Sequence, residues 1–299
     1  MDVESRYELL EKVGSGSFAT VYRARDLELG REIAVKQIHQ QYLEDAKLLD
    51  RYWQEAQLLA SLHHPNIVTI FDIYRERGWL ILELMQSNLA ERMAGRQMDL
   101  RALRTTIAHS LRALKYLHAR GVIHGDIKPA NLFAAQRGGL YDVAKLLDFG
   151  LVKPLADADS VQLTQDGTIT GSPLFMSPEQ SVGDRDPDAR GDIYSLGAVA
   201  YYMLTGRPPF DYGQPIKVLL AHAHEAPVPP SEVNPDTPSD LSEVVLRCLA
   251  KAPEDRYQDA SSLGVALQQC NSAGQWTRED AARWWQEHEV VGKRELAVT

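Results

Sequence analysis

Cysteine is scarce in this chain: Cys248 and Cys270 are the only two in 299 residues. Two thiols are too few for a disulfide framework and lack metal-ligand spacing, so both are expected reduced and packed in or near a core. Long apolar runs are also missing. The longest, Trp79–Leu82 and Leu196–Leu204, fall far short of the ~20 residues a membrane-spanning helix needs. The start, Met1 to Tyr7, is polar and has no signal-peptide stretch. There is no basic excess either: 32 Lys and Arg stand against 41 Asp and Glu, a formal charge of -9. That balance argues against nucleic acid and anionic membrane as partners and otherwise serves solubility. The expectation is a soluble, cytoplasmic chain with no membrane anchor of its own. Its length allows one large domain or two modest ones, and 44% hydrophobic residues supply ample core.

Periodicity divides what is there. Residues 7 to 38 read as strands, with alternation from Phe18 to Ala24 and an apolar run at Ile33 to Val35. From Glu44 to Leu62, Leu48, Leu49, Tyr52, Ala56, Leu59 and Ala60 recur at helical steps. His64-Pro-Asn66 ends that helix, and strands follow at Ile67–Ile73 and Trp79–Met85. Beyond Met85 the pattern is mainly helical, at Leu100–Ala119, Asp192–Leu204, Ile216–His224 and Leu241–Leu249. The Pro-rich stretch Pro227–Pro238 reads as a loop. This order predicts an α+β chain, a small β-rich lobe over about 7–85 and a larger helical lobe over about 86–270.

Short motifs run through this frame in a fixed order. Gly14 to Val21 reads Gly-Ser-Gly-Ser-Phe-Ala-Thr-Val, Ile33 to Lys36 reads Ile-Ala-Val-Lys, and Glu55 sits on the first helix. His124 to Asn131 reads His-Gly-Asp-Ile-Lys-Pro-Ala-Asn, followed by Asp148-Phe-Gly150 and Ser177-Pro-Glu179. A hairpin of small residues can lie over phosphates and offer backbone N–H groups without side-chain clashes. A lysine after three apolar strand residues has its stem gripped and its ammonium projecting.

In this order and spacing the motifs resemble the eukaryotic-like protein kinases, called Hanks-type when bacterial. The resemblance covers residues 7 to 270 and implies the two-lobed kinase fold, with ATP and Mg²⁺ (or Mn²⁺) as cofactors and proteins as substrates. It assigns Asp126 to the substrate hydroxyl proton, Lys128 to the transferring phosphoryl group, and Lys36 paired with Glu55 to the α- and β-phosphates. Asn131 and Asp148 are the implied metal ligands. The implied nucleotide pocket takes Val13, Gly14, Ser15, Gly16, Ser17, Phe18, Ala19, Val21, Ala34, Glu83, Met85 and Phe133, with Leu82 at its rear. Ala19 stands where a third glycine is usual, and Phe133 where an aliphatic residue is commoner. A structural column of Leu59, Ile70, His124 and Phe149 is implied as well, with His124 packed rather than acting as a base.

One departure stands out. Most members have Arg where Gly125 stands, and that Arg reads a phosphate on the activation loop. His-Gly-Asp also resembles small-molecule kinases of the aminoglycoside phosphotransferase type. Against that rival stand Lys128, Ser177-Pro-Glu179, the run Asp192 to Gly197 that resembles the helix anchoring the catalytic loop, and Arg256 as the implied partner of Glu179. A pseudokinase scaffold is the other alternative, though Lys36, Asp126 and Asp148 are all retained. Gly171-Ser172 stands where Ser/Thr kinases carry Gly-Thr, favouring Ser or Thr as acceptor. Thr164, Thr168 and Thr170 lie just upstream.

The tail has no motif. Residues 271–274 read as a linker, and Thr277–Val290 as an amphipathic helix with Ala281, Trp284, Trp285 and His288 on one face. Thr277 and Asp280 suit its cap. This helix is expected to dock on its own chain or on a partner.

Overall fold

The computed structural model describes residues 6–16, 18–94, 96–137, 140–147, 173–183, 188–270, 277, 279–280 and 282–283. Its contacts separate a unit through Met85 from one beginning at Gln86.

The first unit is an antiparallel sheet. Strands β1 (Tyr7–Ser15), β2 (Ala19–Asp26), β3 (Arg31–Ile38), β4 (Ile70–Tyr74) and β5 (Trp79–Leu82) lie in the order β1-β2-β3-β5-β4. Alternation sends successive side chains to opposite faces. One face carries Tyr7, Ala24, Ile33, Val35, Trp79 and Ile81, which close into a buried cluster. The other face receives Val21, Ala34 and Lys36, because Val21 pairs with Lys36, Lys36 with Leu80, and Ala34 with Leu82. A one-residue slip would exchange the two sets, so the buried cluster fixes which way Lys36 points.

Helix α1 (Ala46–Ala60) begins at Asp45, whose carboxylate accepts from the N–H groups of Lys47 and Leu48, both at 3.1 Å. It buries Leu48, Tyr52, Trp53 and Ala56. Strand β4 starts at Ile70 rather than Ile67, because the turn after Pro65 runs on: Ile67 N–H bonds back to His64 O at 3.1 Å. Strand β5 stops at Leu82 rather than Met85; there Glu83 donates its N–H to Thr69 O and accepts from Thr69 N–H through its carboxylate.

The second unit opens with strand β6 (Ser87–Asn88) and helix α2 (Leu89–Met93), started by a reciprocal cap between Asn88 and Glu91. Helix α3 (Leu100–His118) follows, with Leu103, Ile107, Leu111, Leu114 and Leu117 as its buried stripe. Strands β7 (Leu132–Arg137) and β8 (Leu140–Leu146) form a hairpin beside β6. This small sheet was not anticipated within a unit that is otherwise mainly helical, as expected. Ala134, Ala135 and Ala144 gave the segment a helix-like composition, and its pairing is tertiary.

Short helix α4 (Pro178–Ser181) leads to α5 (Ala189–Thr205), which is capped by Asp188 and starts three residues before the expected Asp192. From Gly191 to Thr205 every residue of α5 except Tyr202 is buried, as suits a helix at the centre of a helical layer. Helices α6 (Pro215–His224), α7 (Pro230–Val233), α8 (Ser239–Cys248) and α9 (Ala260–Gln269) complete the unit. Helix α7 is one turn inside the stretch expected to be loop, with Pro230 at its first position, where no N–H is needed. A Cβ on Gly197 would collide with Cys248 Cβ, so α5 and α8 cross with room only for hydrogen. Both cysteines are buried thiols. Among the described residues no helix is long and apolar enough to cross a membrane.

Candidate active site

In the second unit, the loop between α3 and β7 carries the His124–Asn131 motif. Its end is a 3-10 turn, Pro129–Asn131, that delivers the chain into β7. Lys128 Nζ donates to Asp126 Oδ2 at 2.7 Å, and Asn131 Nδ2 donates to the same oxygen at 2.9 Å. Asn131 Nδ2 also donates to Asp126 O at 2.9 Å. The Asp126 side chain is 24% exposed and that of Lys128 30%, so this cluster is not sealed from a reactant. With its nitrogen on Asp126, Asn131 turns its oxygen the other way, a hard donor of the kind that suits Mg²⁺. Asp148 lies outside the described residues, and the described ones contain no group of three His, Cys, Asp or Glu able to hold a metal.

The loop itself is held by α5. Asp192 accepts from the N–H groups of His124 at 2.9 Å and Gly125 at 2.8 Å, and from His118 Nε2 at 2.8 Å. Its side chain is 1% exposed, and three donors offset the cost of burying it. His124 is fully buried and its Nδ1 accepts from Asp126 N–H at 3.3 Å, the packed role expected of it. Gly125 has φ +72, a left-handed backbone that glycine adopts without strain. Gln180 of α4 donates from Nε2 to Gly125 O at 2.8 Å. The sequence reading missed Gln180; its signal was the pair Ser177 and Gln180, three apart, a capping box at the mouth of a helix.

Glu179 and Arg256 are joined by two 2.9 Å bonds. Arg256 also donates to the carbonyls of Ala250, Lys251 and Arg190, which satisfies a guanidinium with no solvent exposure. Burial works to raise the Glu179 carboxyl, but the Arg256 hydrogen bonds and charge, with Ser177, hold it below the usual range. Nearby, Lys251 Nζ reaches Ala221 O at 3.1 Å and His222 O at 2.8 Å, closing the last turn of α6. Tyr194 OH meets His222 Nδ1 at 2.9 Å. Burial, then the Lys251 charge, brings His222 down to about 4; burial, then Arg256, brings Lys251 down to about 8.

In the first unit, Val21, Ala34 and Lys36 share one sheet face, and Glu55 is on α1. The glycine hairpin is closed by Gly16 N–H to Ala19 O at 2.9 Å and braced by Ser15 Oγ to Thr20 Oγ1 at 3.1 Å. Thr20 in turn meets His39 Nε2 at 3.0 Å. Phe18 packs on Tyr42 and Tyr52, ring centroids 5.0 and 5.3 Å apart, which ties the hairpin tip to α1. Val13 is half exposed on β1. The Glu55 side chain, Ser17, residues 148–172, Trp284 and Trp285 lie outside the described residues.

The model of the protein kinase domain family matches residues 7–269. This chain belongs to the protein kinase family. It is 39% identical over 264 residues to serine/threonine-protein kinase Pkn1 of Myxococcus xanthus, covering 88% of this chain and 38% of that protein. It is 37% identical over 274 residues to serine/threonine-protein kinase PknB of Mycobacterium tuberculosis (89% and 43%). With PknB of Mycolicibacterium smegmatis it shares 36% over 273 residues (89% and 43%). The chain spans about two fifths of the length of these curated relatives. The α+β architecture is that of the family, whose members in general use ATP and a divalent metal ion. Neither the scaffold nor the small-molecule alternative is favoured by these relatives.

Proposed function

We propose that this chain transfers the γ-phosphoryl group of ATP to Ser or Thr hydroxyls of proteins, itself included, in intracellular signalling. The observation that carries this reading is the double contact on Asp126 Oδ2 from Lys128 and Asn131, on a loop pinned by Asp192. Asp126 accepts or orients the hydroxyl proton as that oxygen attacks phosphorus. Lys128, already at the carboxylate, offsets charge on the group in flight. Lys36, paired with Glu55, holds the α- and β-phosphates beneath the Gly14–Val21 hairpin. Val21, Ala34 and Phe133 enclose adenine, and the backbones of Glu83 and Met85 pair with its edge. Asn131 and Asp148 hold Mg²⁺, with Mn²⁺ as a substitute. When bound, that ion would supply positive charge to offset that of the phosphates. Residues 7–270 form the kinase domain and 271–299 a tail.

Purified wild type and Asp126→Asn, assayed with ATP and Mg²⁺ for labelling of themselves and of Ser, Thr and Tyr peptides, test this. Wild type is expected to label Ser and Thr, and the variant to be slower by roughly 10²–10³. Equal rates would overturn the assignment, and labelling of an aminoglycoside in place of peptides would move the chain to the rival class.

A further inference from the structure

Gly125 is gripped on both sides of its peptide frame. Its N–H goes to Asp192 Oδ1 at 2.8 Å and its carbonyl accepts from Gln180 Nε2 at 2.8 Å. The Gln180 amide is itself fixed at its other end, where Oε1 accepts from Ser177 N–H at 3.0 Å and Ser177 Oγ at 3.1 Å. Ser177 is buried, and Glu179 beside it is locked to Arg256. A rigid path therefore runs from Arg256 through α4 into the residue immediately before Asp126.

We infer that Gln180 is a positioning residue: it holds the Gly125 carbonyl so that Asp126 is aimed without help from a side chain at position 125. This inference rests on the kinase reading above. Glycine at φ +72 is the least restrained residue the loop could carry, and its freedom must be removed from outside. Asp192 restrains only the N–H side. Without Gln180 the plane between Gly125 and Asp126 keeps the longer 3.3 Å bond from Asp126 N–H to His124 Nδ1 and gains room to rock about the glycine, which moves the Asp126 carboxylate relative to an acceptor hydroxyl. Misplacement of about 1 Å costs up to ~10²-fold in rate.

Gln180→Glu isolates the contact. A carboxylate keeps both acceptor bonds to Ser177, which favour its charged form, and cannot donate to Gly125 O. The variant is expected to show kcat roughly tenfold below wild type with peptide KM within about twofold. Gln180→Met, which cannot donate either, should show a deficit at least as large. Hydrogen exchange of the peptide covering Val122 to Lys128 should be faster in both variants. Wild-type kcat in Gln180→Glu, a loss that falls on KM rather than kcat, or unchanged exchange in this peptide overturns the inference. If wild type itself transfers no phosphate, the kinase reading fails, and exchange still decides whether Gln180 restrains the loop.

Discussion

Arg256 grips both carboxylate oxygens of Glu179 at 2.9 Å from a position with no solvent exposure. Breaking one side of a buried pair leaves the other charge stranded. Glu179→Ala and Arg256→Ala are each expected to lose about 3–5 kcal/mol in chemical denaturation. Arg256→Lys should lose nearly as much, because an ammonium cannot reproduce a two-pronged contact and three carbonyl bonds. A loss near zero for Arg256→Lys would show that charge alone suffices. Because the folded Glu179 carboxyl lies below its ordinary 4.5, its stabilisation is complete above that value. It is lost as pH falls through the lower folded value, a loss absent from Glu179→Gln.

Gly125 makes two predictions. A Cβ there meets nothing within 4 Å, so Gly125→Ala should cost only the left-handed backbone penalty, about 1–2 kcal/mol. Equilibrium unfolding measures it, and a neutral substitution would mean the loop relaxes.

Gly125 also offers no guanidinium to a phosphate on the segment between Asp148 and Glu179. Replacing Thr164, Thr168 and Thr170 together by Ala should lower phosphorylation of an added peptide by less than about tenfold, or ~1.4 kcal/mol. A hundredfold collapse would mean that another cation reads a phosphate there, and Arg23, Arg25 and Lys153 would be the residues to substitute.

His222 is expected to make the fold acid-sensitive. Its folded value of about 4 lies below the ordinary 6.5, so the unfolded chain takes up a proton first. Stability from this group is full above 6.5 and declines as pH drops toward 4, by up to about 1.4 kcal/mol per pH unit. His222→Gln, which still accepts from Tyr194, should flatten that decline in pH-dependent melts. An unchanged slope would assign the acid loss to other groups.

The tail contact is open to a direct test. Asp280 accepts from Thr277 Oγ1 at 2.7 Å and from Arg101 Nη1 at 3.3 Å, which seats the start of the tail element on the first turn of α3. Asp280→Ala should speed proteolytic removal of the tail, and Arg101→Ala should do the same. If neither changes the cleavage rate, the contact does not hold the tail.

Legibility followed distance in the sequence. Asp126, Lys128 and Asn131 sit within one short loop, so the resemblance that assigned them to one site required only local structure, and they do meet. Lys36 was readable because strand alternation fixed its face. Glu179 and Arg256 lie 77 residues apart and were legible only through family resemblance. Gln180 was legible only as half of a capping box with Ser177: its other partner is a carbonyl, which no residue type announces. The β7–β8 hairpin escaped because Ala134 and Ala144 carry no strand signal and their burial depends on α3. Helix α9 escaped because it is short and interrupted by Gly264, although its Asp259–Ser262 cap was in plain view.

The tight crossing of α5 and α8 reaches beyond stability. Cys248, pressed against Gly197, is sealed, and burial pushes its thiol up to about 12, where it is not a nucleophile at neutral pH. Cys270 is also buried, raised by burial, and bonded to Ala266 O at 3.4 Å. Both native sulfurs are therefore expected to react slowly with maleimides and iodoacetamides while the protein is folded, Cys248 the more slowly. A single cysteine introduced on an exposed strand or helix would take a fluorophore or spin label selectively, with neither native residue removed.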